Sequence, residues 1–587
     1  MHNGKIRIVV ENIQPQVDCG RFAAKRLVGD TVIVEADVFA DGHDKVKCEL
    51  LYRFDADTEW RTAAMQALGN DRWRATFVAQ QIGLYRFTVR AWLESVLDWQ
   101  RNEPTDPELV FQHEPPVSLV VERERAGFSS WYEFFPRSVG TFKECEAHLP
   151  YVAQMGFDVV YLPPIHPIGK AFRKGANNSL TPQPDEPGSP WAIGGVEGGH
   201  KSIHPQLGTL EDFKRLVGKA TALGIEIALD LAFQTSPDHP YVREHPEWFL
   251  KRPDGTIQYA ENPPKKYQDI YPFYFESDAW QELWTELKSV VEFWIAQGVS
   301  IFRVDNPHTK PFGLWEWLIG EVHKEHPDII FLAEAFTRPK VMYRLAKLGF
   351  TQSYTYFTWR NGKQELIDYF TELSRPPVAD FFRPNLWPNT PDILNEYLQF
   401  GGRPAFMVRL VLAATLSANY GIYGPAFELL EHEPREPGSE EYRDSEKYQT
   451  RDWDLKRADS LRDFLARMNR IRRDHPALQR DRQLRFHDID NDALIAYSKT
   501  TAQGDDSMLI IVNLDPHHAQ SGWLKLDLST LGVPAEEPFQ AHDLLGGARF
   551  LWRGPRNYVA LDPAHSPAHI FRIRRKVRTE RDFDYFL

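Results

Sequence analysis

Between about residues 127 and 480 the chain alternates short apolar runs with longer amphipathic stretches, and this alternation constrains the fold more than any other feature. "SSWYEFFPRS", "FDVVYLPP", "IEIALDLAF", "VSIFRVD", "IIFLAEAF", "TQSYTYF", "PNLWPNTPDIL" and "YGIYGPAFE" each contain a short strand-like run. "KECEAHLPYVAQMG", "SDAWQELWTELKSVVEFWIAQG" and "PKVMYRLAKLG" read as helices between several of them. A strand followed by a helix and another strand returns in the same direction. About eight such units predict a (β/α)8 TIM barrel of the α/β class. Two connections, about 164–209 and 234–274, are too long to be simple turns. Both follow strands, so both are expected over the C-terminal mouth of the barrel.

The flanks have a different texture. Residues 1–115 carry alternating runs such as "DTVIVEADVFA" and "LYRFTVRAWL" separated by Gly, Asp and Asn turns, the pattern of a β-sandwich. "QRNEPTDPELVFQHEPP" forms a Pro-rich junction. After the helix "RADSLRDFLARMNRIRRDHPAL" alternating runs return. The expected organisation is an N-terminal β-sandwich over 1–115, a catalytic barrel with its two insertions over 116–483, and a C-terminal β-sandwich over 484–587.

With 42% hydrophobic and 26% charged residues the balance is that of a soluble globular protein. No apolar run approaches a bilayer span, and "MHNGKIRIVVENIQPQ" lacks the features of a secretory signal, so a cytoplasmic location is expected. Cys19, Cys48 and Cys145 form no CxxC pattern and are expected as three buried thiols. No His/Cys cluster has metal-ligand spacing, so neither metal nor cofactor is expected. The 69 Lys+Arg against 82 Asp+Glu, a net charge of −13, argue against a nucleic-acid or anionic-membrane partner. An anionic substrate would need a local pocket of cations.

Three acids stand at or just after the ends of consecutive candidate strands: Asp305 in "FRVDN", Glu334 in "FLAEAF" and Asp392 in "NTPDIL". A lone acid is usually a helix cap or a surface charge; three in register with successive strands surround one barrel opening. Retaining glycosidic chemistry needs an ionised nucleophile and a protonated acid about 5 to 5.5 Å apart. Arg303 leaves the same strand face as Asp305 and favours an ionised nucleophile there. Glu334 ends an apolar strand, with Phe331 and Leu332 nearby, a setting that favours the protonated acid. Asp392 would hold sugar hydroxyls as the anomeric carbon becomes cationic.

"FRVD", "AEAF", "PDIL" and, with Asp230, "IALDLAF" resemble the four short regions of the alpha-amylase superfamily of glycoside hydrolases and transglycosylases. The departures are informative. Gln234 and Thr235 stand where an Asn-His pair is usual, Asn306 where a small residue follows the nucleophile, and Pro391 where His precedes the third acid. They point away from a plain starch hydrolase. "RKG", "SPWAIG", "FQTSPDHP", "NPPKKYQDIYP", "RVDNPHTKP" and "EKYQTRDWD" together resemble the bacterial family of α-1,4-glucan:maltose-1-phosphate maltosyltransferases.

That resemblance implies a homodimeric enzyme that moves a maltosyl unit from α-maltose 1-phosphate to an α-1,4-glucan acceptor. Such a donor brings nearly two negative charges to a mouth already lined with carboxylates, so cations and neutral donors must surround it. The resemblance implies Lys265, Tyr267 and Asn306 at the phosphate, beside Lys266 of the same loop. It implies Lys174, Gln234, Asp269, Lys447 and Tyr448 around the maltosyl unit. The rival readings are an α-amylase-type hydrolase or debranching enzyme, and a glucan-binding protein without catalysis.

Overall fold

The computed structural model describes residues 4–94, 97–98, 103–104, 107–262 and 265–575. At its centre eight parallel strands close into a barrel. They are β1 (Ser129–Glu133), β2 (Val159–Leu162), β3 (Glu226–Leu231), β4 (Ile301–Asp305), β5 (Ile330–Glu334), β6 (Gln352–Ser353), β7 (Asn385–Leu386) and β8 (Asn419–Tyr423). The order β6-β5-β4-β3-β2-β1-β8-β7 is closed by a parallel bridge between Ser353 and Pro384. All eight expected strands are present. A helix follows each: α1 (Phe142–Gln154), α2 (Leu210–Ala222), α3 (Trp280–Ala296), α4 (Phe312–Glu325), α5 (Pro339–Lys347), α6 (Lys363–Ser374), α7 (Gly402–Leu416) and α8 (Arg462–Asp474). Local sequence starts two of them with reciprocal capping boxes, Thr141 with Glu144 at α1 and Thr209 with Asp212 at α2.

The period of two along each strand sorts side chains between two cores. Val160, Leu229, Phe302, Val304 and Phe331 face outward into the layer shared with the helices, whereas Trp131, Val159, Tyr161, Ala228, Ile301, Ile330 and Leu332 pack inside the barrel. The next inward positions toward the C-terminal mouth are Glu133 on β1, Asp230 on β3, Arg303 and Asp305 on β4, and Glu334 on β5. An apolar plug thus supports a floor of buried ionisable groups, all five of which are buried.

The insertion after β2 runs to the start of α2, and the one after β3 contains the strand pair Gln234–Thr235 with Tyr271–Pro272 and the hairpin Ala260–Asn262 with Lys265–Tyr267. The two are tied together over the mouth: Ser236 hydrogen-bonds to Ile193 and Gly194, and Asp238 accepts from the backbone of Lys170 and Ala171.

Before the barrel, a four-stranded and a six-stranded sheet form a sandwich. Its strand Val117–Glu122 pairs with Gly83–Leu93, so the sheet layer continues past the expected junction at 115. After the barrel, eight antiparallel strands between Arg485 and Arg575 enclose a separate apolar cluster that includes Leu494, Leu509, Ile511 and Phe571. Cys48 and Cys145 are buried thiols, but Cys19 is exposed. It sits in the turn between the sandwich strands Ile8–Gln14 and Ala24–Leu27, at a positive φ of 55°, outside the core expected for it. Among the described residues no helix is long and apolar enough to cross a membrane.

Candidate active site

Parallel pairing of β4 with β5 places Asp305 directly beside Glu334, and pairing of β3 with β4 places Asp230 beside Arg303. Arg303, only 5% exposed, is therefore surrounded by carboxyl groups. Its Nη1 lies 3.0 Å from both Asp230 Oδ2 and Asp305 Oδ1, and its Nη2 is 3.5 Å from Glu334 Oε1. The guanidinium also sits near the rings of Tyr161 and Tyr354, at 5.5 and 5.6 Å from their centroids. Burying such a cation is costly without partners, and three acids supply them. Asp230 in turn accepts from the Tyr161 hydroxyl and, at 3.3 Å, from the Trp191 indole.

One positive charge cannot hold three buried carboxylates ionised. Burial pushes the Glu334 carboxyl up to about 7; Arg303 opposes this, and Asp305 and Asp392 add to it. Burial pushes Asp230 up to about 7 as well, but of the two only Glu334 lines the cleft that opens above them, so Glu334 is the group poised to give a proton there near neutral pH. Of the two apolar residues expected near Glu334, only one packs on its side of the sheet. Leu332 lies inside the barrel beneath Glu334, while Phe331 faces the helix layer.

Asn306 leaves β4 in the left-handed region, φ 43° and ψ 52°, which asparagine tolerates better than most side chains. In that conformation its N–H donates to Glu334 Oε2 at 3.2 Å and its carboxamide nitrogen lies 3.5 Å from Asp305 Oδ2. Asn306 therefore touches both candidate catalytic carboxyls.

A cleft of about 660 Å³ opens above these groups. Lys174, Gln234, Tyr267, Asp269, Asp305, Asn306, Glu334, Asp392, Lys447 and Tyr448 all line it. Arg303 lies beneath its floor. Lys174 is buried and donates to Gln268 Oε1 at 3.1 Å; Gln234 donates to the Trp191 carbonyl at 3.4 Å. Asp269 is buried with Oδ1 unpartnered, and burial raises its proton affinity against the pull of Lys174 and Lys447. Lys265 lies on the hairpin strand, with its side chain outside the described residues, and Lys266 of that strand is exposed.

Asp392 departs from the expected pattern. It is not on a strand consecutive with β5 but in the loop after β7, with its side chain 46% exposed and paired with Lys447. Burial acts to lower the proton affinity of that lysine, yet Asp392 together with Tyr448 and Tyr267 outweighs it and raises it overall. Lys447 also lies 5.4 Å from the Trp191 ring centroid and 5.9 Å from that of Tyr448. Sequence reasoning gave no role to Trp191, His308, Lys310 or Phe336, all of which line the cleft. All four lie within motifs already singled out, Trp191 in "SPWAIG", His308 and Lys310 in "RVDNPHTKP" and Phe336 in "AEAF", but nothing local says which way they point. Among the described residues no group of three or more His, Cys, Asp or Glu is arranged to hold a metal ion.

The family model "Alpha-1,4-glucan:maltose-1-phosphate maltosyltransferase, domain N/S" matches residues 6–104, "GLGE, C-terminal" matches 486–573, and "Alpha amylase, catalytic domain" matches 128–285. The alpha-1,4-glucan:maltose-1-phosphate maltosyltransferase of Methylacidiphilum infernorum is 49% identical over 97% of this chain and 96% of its own. The chain belongs to the α-1,4-glucan:maltose-1-phosphate maltosyltransferase family. The maltosyltransferase of Chlorobaculum tepidum is 46% identical, with 97% of both chains covered. Solved structures similar to this maltosyltransferase-family chain bear on the fold alone. A cyclomaltodextrinase matches with TM-score 0.59 at 14% identity, covering 96% of this chain and 99% of that one. An alpha-amylase from Lactobacillus plantarum matches with TM-score 0.59 at 19% identity, covering 76% and 99%.

Proposed function

We propose that the protein is a retaining maltosyltransferase that moves a maltosyl unit from α-maltose 1-phosphate to the non-reducing end of an α-1,4-glucan, with release of phosphate. The observation that carries the mechanism is the single guanidinium of Arg303 shared by Asp230, Asp305 and Glu334. Asp305, at 3.0 Å from that cation, is the nucleophile. It attacks the anomeric carbon as the bond to the phosphate oxygen breaks, and the Glu334 O–H gives its proton to that oxygen. A β-linked maltosyl-enzyme results. Glu334, now a carboxylate, takes the proton from the acceptor 4-hydroxyl as that oxygen displaces Asp305. The second inversion restores the α-linkage and lengthens the glucan by two glucose units. Asp392, oriented by Lys447, holds sugar hydroxyls while the ring is cationic.

The Asn306 carboxamide, the Tyr267 hydroxyl and Lys265 are assigned to the phosphate. Lys174, Gln234, Asp269, Lys447 and Tyr448 are assigned to the maltosyl unit. Their convergence on one cleft supports this, Lys265 excepted. A homodimer and a cytoplasmic location belong to the same reading and rest on the family resemblance.

Incubation with α-maltose 1-phosphate and a short maltooligosaccharide tests the reaction. Phosphate release matched by products two glucoses longer is expected. Free maltose without elongated product would reject transfer. Asp305→Ala is expected to abolish turnover with the fold retained by circular dichroism; residual activity above about one thousandth would reject the nucleophile assignment.

A further inference from the structure

Lys310 sits on the same turn as the nucleophile yet has no part in the reaction as set out above. It is 9% exposed, and its ammonium donates to the main-chain carbonyls of Asp305 at 3.3 Å and Asn306 at 3.2 Å. The Asn306 carbonyl also accepts from the Thr309 N–H at 3.1 Å and the Thr309 hydroxyl at 2.8 Å. These donors hold the two peptides that flank the left-handed Asn306, the residue whose N–H meets Glu334 and whose carboxamide approaches Asp305. Left-handed backbone at a residue other than glycine persists where surrounding contacts over-determine it. Lys310 supplies that determination from a buried position where an ammonium without partners would be unfavourable.

We propose that Lys310 is a positioning residue for the transfer reaction: by clamping the carbonyls of Asp305 and Asn306 it fixes the turn that presents Asn306 to both catalytic carboxyls. The proposal rests on the assignment of Asp305 and Glu334 made above. Electrostatics follow from the same placement. The groups that act on Glu334 are Arg303 and Asp305 from β4, Asp392 from the loop after β7, Tyr354 beyond β6, the Asn306 N–H, and Lys310 itself. A nearby cation and an N–H donor both favour the ionised carboxyl. Losing Lys310 removes the first and loosens the second, so Glu334 then keeps its proton to higher pH.

The test is a pH–rate profile of Lys310→Met with α-maltose 1-phosphate and maltooligosaccharide. A loss of about 100-fold in kcat is expected, with KM changed by less than about threefold, because a misplaced turn costs chemistry more than binding. The alkaline limb is expected to move up by about one pH unit. Wild-type kcat, or a loss equal at every pH with the limb unmoved, would overturn the proposal. If Lys310→Met is not recovered folded, Lys310→Gln, which keeps one donor without the charge, is held to the same limb shift. With α-maltosyl fluoride, whose leaving group departs without a proton, Lys310→Met is expected to lose at least about tenfold in kcat. A wild-type protein that consumes the fluoride but not the phosphate rejects the donor assignment, and the fluoride result still decides the role of Lys310. If the wild-type protein processes neither donor, both readings fall.

Discussion

At the scale of single residues, the site is an arrangement of charge around Arg303. Its guanidinium reaches three carboxyls, and burial pushes two of them, Asp230 and Glu334, toward their neutral forms. The division of labour follows from position: Asp305 lies 3.0 Å from the cation and Glu334 Oε1 3.5 Å, and both line the cleft, whereas Asp230 does not. Glu334, pushed up to about 7 from an ordinary value near 4.5, is protonated below neutrality and must be so to assist phosphate departure. Rate is therefore expected to fall as pH rises through about 7, approaching tenfold per pH unit, in a profile of kcat/KM for α-maltose 1-phosphate. A profile flat from pH 6 to 9 would count against Glu334 as the acid. Part of this was legible from the sequence: Arg303 and Asp305 share a strand face by the period of two, and Glu334 ends the next strand. Asp392 was less so, because no periodicity governs the loop that carries it, and its pairing with Lys447 joins residues 55 apart in the chain.

At the scale of elements, the two mouth insertions act as one lid-like layer through buried histidines. His200 Nδ1 lies 3.1 Å from His239 Nε2, His200 Nε2 is 2.9 Å from the Ala232 carbonyl, and His166 packs at a tilt with its ring centroid 5.9 Å from that of His200. A neutral chain of donors accounts for these contacts: His239 Nδ1 accepts from the Tyr241 N–H, which leaves its Nε2 to donate to His200. Burial pushes His166 down to about 3, His200 to about 4 and His239 to about 2. The sign follows directly. Below about 6.5 the unfolded chain takes up protons that the folded one refuses, so stability present at neutral pH is lost as pH falls toward those values. Each histidine contributes a slope of roughly 1.4 kcal/mol per pH unit. Urea midpoints at pH 7, 6 and 5 are expected to fall with a steepening slope, and hydrogen exchange in residues 190–205 and 232–245 to rise first. Unchanged midpoints over that range would show that the cluster does not govern acid lability. Sequence spacing gave no sign of this cluster, since His166, His200 and His239 belong to two insertions that meet only above the barrel.

At the scale of the whole molecule, the N-terminal sandwich is fastened to the barrel by buried polar contacts. Lys25, on the strand Ala24–Leu27, donates to the carbonyl of Ala346 at 2.9 Å and to that of Phe350, at the C-terminal end of α5. Arg26 pairs with Asp380 at 3.0 Å, and Arg383 pairs with Glu122. Helix C-termini leave carbonyls without intrahelical donors, and a cation there is favourable. Lys25→Met is expected to take the donor from the buried Phe350 carbonyl, at a cost of about 1–3 kcal/mol, while the Ala346 carbonyl keeps the Gly349 N–H. A lowered Tm by calorimetry, with kcat per folded molecule unchanged, is the expected outcome; an unaltered Tm would show that the docking does not depend on this contact. Alternating runs in the sequence anticipated the two flanking β-layers but not the attachment of the N-terminal one, which depends on side chains more than 300 positions apart meeting at α5.

The sequence by itself determined the barrel and the floor of its site. Eight apolar runs followed by helices admit one closed parallel sheet, and a period of two puts Asp230, Arg303, Asp305 and Glu334 on its inner face whatever the loops do. Only the tertiary structure decided the rest: the left-handed turn at Asn306, the Lys310 clamp behind it, the Asp392–Lys447 pair and the histidines joining the insertions. The first two belong to one short turn that no periodicity governs, and the others join segments far apart in the chain that meet only once the closed barrel brings their loops over one opening.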